Sequence, residues 1–179
     1  MSLTLATLLP GLLLVALGAA FFAGTPAIAA AFKAMPRSHA ATFLFFYGGT
    51  TWFLCHVLTL SQADFGQYRL LLFLGFTTVA VLAYYYVPDF LAVRGLCILT
   101  LLSAWPVLMA GYMNFDHPQV YFLKVFVYLC IVLALWLGAQ PWRLRDFFQW
   151  LFATRRRAQT TGAALFGYGL LLCAVAFTY

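Results

Sequence analysis

Six stretches of this chain run without a single Asp, Glu, Lys or Arg: 1–32, 38–63, 70–88, 95–115, 125–142 and 158–179. A hydrocarbon core ~30 Å thick is crossed by about 20 residues of helix. A chain crossing it must satisfy its backbone polar groups internally. Six such runs in one chain predict an all-α, polytopic membrane helical bundle. The spans are expected at about 4–24, 40–60, 69–87, 90–112, 119–139 and 161–178. The whole of 1–179 reads as one transmembrane domain, with short connections and no soluble domain on either face.

Composition supports the same class. Only 8% of residues are charged and 65% are hydrophobic, whereas soluble domains carry about a quarter charged residues. Glu is absent, which excludes any mechanism built on it. The net charge of +6 reads as the cytoplasmic bias of membrane loops and not as a nucleic-acid surface, because no polar basic stripe with interleaved aromatics occurs. Lys33, Arg37, Arg94, Arg143, Arg145 and Arg155 to Arg157 fall on one side, eight of the ten cations; Arg69 and Lys124 fall on the other. The expected setting is a bacterial inner membrane with both termini outside the cytoplasm. No Lys or Arg precedes the first apolar run, so that run is expected to be retained as a helix and not cleaved as a signal peptide.

The segment 140–160 departs from the pattern. Leu144, Phe147, Phe148, Leu151 and Phe152 share one helical face, with Arg143, Asp146 and Gln149 on another. This predicts a cytoplasmic interfacial amphipathic helix over about 142–153. Membrane lipids are the partners expected for its cations: Arg143, Arg145, Arg155, Arg156 and Arg157 can meet anionic headgroups, and Arg94 anchors at the same depth beside Tyr84 to Tyr86.

A weak period is visible. Pro36, Pro88 and Pro141 lie 52 and 53 residues apart, each near an arginine, as three copies of a two-helix hairpin would place them. Short loops between spans of similar length produce the same spacing. Small residues recur at four-residue intervals, as Ala16, Ala20 and Gly24 and as Ala163 and Gly167, and suit close helix approach.

The polar groups that could carry chemistry cluster toward the outer ends: His56, Asp64, Arg69, Asp116, His117 and Lys124. A histidine within a span is a functional candidate by default. His56 and His117 are residue types that ligate haem or a metal; a hydrogen-bonded structural histidine is the plainer reading. Asp116 and Asp89 stand where helix N-caps are expected, and Asp64 or Asp116 can pair with Arg69 or Lys124 across the outer mouth. Cys55, Cys97, Cys130 and Cys173 lie within apolar runs, without the clustered spacing of a disulfide framework or zinc site.

No nucleophile elbow, zincin helix, phosphate-binding loop or dinucleotide fingerprint is present. The sequence thus points to a non-enzymatic membrane protein, an accessory or scaffold subunit joined to partner subunits or to copies of itself, without an assigned cofactor. Two alternatives follow from the same residues. One is a small carrier or channel for an apolar or weakly polar solute. The other is a redox subunit holding haem or quinone near the outer face.

Overall fold

The structure, a computed structural model, describes residues 1–114 and 117–179. Asp116 therefore lies outside the described residues. Eight helices are described: α1 (Leu3–Ala23), α2 (Pro26–Ala34), α3 (His39–Leu58), α4 (Arg69–Tyr86), α5 (Leu91–Ala110), α6 (Val120–Ala139), α7 (Trp142–Leu151) and α8 (Arg155–Ala176). Six of them, all except α2 and α7, are long and apolar enough to cross a membrane.

Local chemistry sets the ends. The Ser2 hydroxyl accepts the Leu5 N–H at 3.4 Å, and α1 stops at Gly24, whose φ of 53° is left-handed. Thr25 then caps α2, with Pro26 in the first turn where its missing N–H costs nothing. This short helix was not expected from the apolar pattern, although Thr25-Pro26 is a start signal. Ser38 caps α3 in the same way. At the start of α5 the expected cap is absent: Phe90, at φ 59°, holds the cap position without a side-chain bond, and Asp89 does not serve it. Helix α8 begins at Arg155, six residues before the expected 161, so the three arginines form its first turn.

The longest seam joins α1 to α8, which run antiparallel. Thr7, Gly11, Leu14, Gly18 and Phe21 are buried on α1, and Ala158, Gly162, Gly169, Leu172 and Ala176 on α8. The α1 set alternates by three and four residues, and the α8 set keeps that register with one seven-residue step between Gly162 and Gly169, the spacing of a helix-pair seam. The glycines bring the backbones together: a Cβ at Gly18 would lie 2.5 Å from the Phe166 nitrogen, and one at Gly162 would collide with the nitrogen of Phe22. Of the small residues singled out by sequence, Ala16, Ala163 and Gly167 are exposed, whereas Ala20 is half-buried and Gly24 ends α1 beside Ala158 of the seam. The close contact is made by glycines seven residues apart on each helix, Gly11 and Gly18 against Gly162 and Gly169.

Helix α5 packs antiparallel to α6, and α3 packs on α5. Two apolar clusters tie these pairs to α1. One joins Ala6, Ala104, Leu123 and Val127; the other joins Phe21, Val93, Cys97, Ala134, Leu144, Phe148 and Leu151 at the arginine-bearing end. The apolar face predicted for α7 is divided. Leu144, Phe148 and Leu151 turn into the bundle, where Phe148 lies 5.4 Å from the Phe32 ring of α2, while Phe147 and Trp150 stay exposed. Helix α4 packs on α3, and none of its residues is buried.

Candidate functional site

Among the described residues, the polar groups expected at the outer ends do not assemble into one centre. His56 is exposed, and its Nδ1 lies 3.1 Å from the Trp52 carbonyl one turn earlier in α3. Asp64 accepts the Ser61 hydroxyl at 2.8 Å within its own turn and is not paired with Arg69 or Lys124. Arg69 is exposed at the first position of α4. Lys124 is half-buried on α6, its ammonium 5.4 Å from the Tyr121 ring. His117 is half-buried and meets the Tyr179 ring edge-on at 5.4 Å. Burial pushes the Tyr179 phenol above its ordinary pKa, with a smaller opposing effect from Thr7. Among the described residues no three His, Cys, Asp or Glu side chains gather as a metal would need.

The opposite end is basic and aromatic. The guanidiniums of Arg37 and Arg145 lie 5.0 and 5.8 Å from the same ring, that of Phe90. Arg143 sits over Trp136 and Arg157 over Trp150. Arg145 forms the one ion pair among the described residues, with Asp146 at 2.8 Å. Arg155 borders a cavity of about 480 Å³ between the α1–α2 turn and the start of α8, lined also by Thr25, Phe152 and Thr154. Arginines in a helix's first turn oppose its macrodipole, and the first turn of α8 contains no acid. Arg94 is half-buried beside a groove of about 380 Å³ between α5 and α6, and does not pair with Asp89.

A third locus lies along the α3–α4 contact. Helix α3 contains a π turn over Phe43–Tyr47. It falls where Gly95 of α5 comes against the Phe46 backbone. Just after the turn stand Thr50 and Thr51. Among the described residues, the hydroxyls of Thr7, Thr77, Thr78 and Thr100 donate to the carbonyl four residues back, at 2.7 to 3.0 Å. Those of Thr42, Thr50, Thr51 and Thr161 make no such bond. For Thr50 and Thr51 the counterpart carbonyls, of Phe46 and Tyr47, belong to the π turn, whose i→i+5 spacing leaves the regular α register.

Thr50 and Thr51 both border a groove of about 320 Å³, walled also by Phe46, Tyr47, Tyr84 and Tyr85. A second groove of about 280 Å³, lined by Phe53, Phe76 and Ile98 among others, lies beside it and shares Phe46, Thr50 and Ala80. Neither is lined by a charged side chain. Tyr84 and Tyr85 were read from sequence as an aromatic belt, and the aromatic cluster of Phe43, Phe45, Phe46 and Tyr47 suits lipid contact or an apolar ligand such as a quinone, carotenoid or lipid; the threonines were not singled out. Two adjacent hydroxyls inside an apolar run were the available signal.

Compared with protein-family models, with curated protein sequences and with solved structures, the chain matches none.

Proposed function

We propose that this chain is a multi-pass integral membrane protein that serves as an accessory subunit, acting by packing in a larger membrane assembly. The observation that carries this reading is α4. It is long and apolar enough to span a bilayer, yet it buries no residue against the rest of the chain. A helix held by one neighbour leaves most of its surface for lipid or for another protein. The cavities described are grooves on the flanks of the bundle, and among the described residues the outer polar groups do not converge on a shared path, which favours packing over transport.

The eight-to-two division of cations supports a reading in which the Phe90 end faces the cytoplasm, both termini lie outside and the membrane is a bacterial inner membrane. In that setting α7 lies along the interface, Trp142 and Trp150 sit at headgroup depth, and Arg155 to Arg157 meet anionic lipid. The test is extraction of the tagged chain from its native membrane in mild detergent. Co-elution of different polypeptides in fixed stoichiometry supports the reading. Recovery of a lone chain, or of copies of this chain alone, overturns it.

A further inference from the structure

We infer that the twin grooves along the α3–α4 contact form a binding site for a lipid quinone: a flat, uncharged ring bearing carbonyl oxygens and an alkyl tail. The inference rests on the reading of α3 and α4 as membrane-spanning and is independent of the proposed assembly.

The argument starts from Thr50 and Thr51. A hydroxyl facing hydrocarbon without a hydrogen-bond partner is costly, and a threonine in a span can avoid this by donating to the carbonyl four residues back, as four other threonines of the chain do. Thr50 and Thr51, one turn beyond the π turn at Phe43–Tyr47, line the groove without such a bond. Such turns are often retained at functional sites. A bound carbonyl oxygen would accept from them.

The walls select the rest of the ligand. With no Lys or Arg in the lining, a phosphate headgroup finds no counter-charge there. Tyr47 and Tyr84 face one another across the α3–α4 contact at 5.7 Å between ring centroids, and aromatic side chains of this kind receive a flat ring edge-on or offset. The neighbouring groove, walled by Phe53 and Phe76 at 5.0 Å, offers apolar surface for a tail. Thr50 and Ala80 stand between the two, so one molecule can place its ring in the first groove and its tail in the second.

The experiment incorporates the full chain into lipid nanodiscs and measures saturable uptake of a decyl-substituted benzoquinone, against discs without protein. One equivalent per chain is expected. The isosteric double variant Thr50→Val/Thr51→Val should weaken uptake about tenfold or more, since each lost hydrogen bond is worth on the order of 1 kcal/mol, with its thermal unfolding midpoint unchanged. Ala80→Phe, which fills the junction of the grooves, should abolish it. A chain that fails to enter the disc overturns both the membrane reading and this one. A chain that enters but shows only non-saturable partitioning overturns this inference alone. So does uptake that the threonine variant leaves intact, or a tightly held phospholipid in the quinone's place.

Discussion

Gly95 of α5 lies directly against the backbone of Phe46, the fourth residue of the π turn in α3, so closely that a methyl group at Gly95 would overlap the Phe46 nitrogen and Cα. The widened turn and the missing side chain meet at one point. The contact therefore fixes both the α3–α5 packing and the position of Thr50 and Thr51 one turn further on.

Replacing Gly95 by alanine should force α3 away from α5 and lower stability by about 1–3 kcal/mol, the usual cost of overpacking. Gly75→Ala is the matched control, because a Cβ there meets nothing within 4 Å. Thermal unfolding in detergent should separate the two variants clearly. Equal midpoints would show that the Gly95 contact is not made.

The α1–α8 seam can be trapped chemically. A Cβ at Gly11 would stand 2.8 Å from the Cys173 sulfur, close to the ~3 Å that separates Cβ and the far sulfur within a disulfide. Gly11→Cys should cross-link to Cys173 under mild oxidation, read by peptide mass. Cross-linking to Cys97 or Cys130 instead would refute the antiparallel pairing.

Helix α7 should behave as two faces. Leu151 is fully buried, so Leu151→Ala should cost about 2–5 kcal/mol. Phe147 is 41% exposed, and Phe147→Ala should change the unfolding midpoint far less. If the two variants unfold alike, α7 is not docked on the bundle as described.

Much of this architecture was readable from periodicity and charge, and the failures have physical causes. The charge-free runs located six long helices to within a few residues, except at α8, where Arg155 to Arg157 were assigned to a loop because cations usually precede a span and do not begin its helix. Choosing the seam failed for a different reason. The four-residue recurrence of Ala16, Ala20 and Gly24 and of Ala163 and Gly167 drew attention from Gly11, Gly18, Gly162 and Gly169, which stand seven apart and make the close contact, and small-residue spacing alone does not say which face turns inward. The α3–α4 grooves were not legible in the same way, because they depend on how two spans pack and on a π turn in one of them; Thr50 and Thr51, adjacent hydroxyls inside an apolar run, were the one signal in the sequence. The residues His56, Asp64, Arg69, His117 and Lys124 were nominated on residue type; His56, Asp64 and Lys124 make contacts within their own segments, and His117 meets Tyr179 near the end of α8.

The basic end yields a prediction about lipid. Replacing Arg155, Arg156 and Arg157 by glutamine should reduce the anionic phospholipid retained after mild extraction, counted by native mass spectrometry; each arginine contributes about 1 kcal/mol near an anionic surface. Unchanged retention would mean that these side chains do not contact headgroups.

The central claim is that α4 presents its free face to another polypeptide. Site-specific photo-cross-linking in intact cells tests it most directly, with the cross-linker placed in turn at Leu71, Leu82 and Tyr85, all exposed, and at Leu13 on α1 as a comparison. The account predicts a discrete adduct with a different protein from the α4 positions. Adducts with lipid alone, or with a second copy of this chain alone, would contradict it.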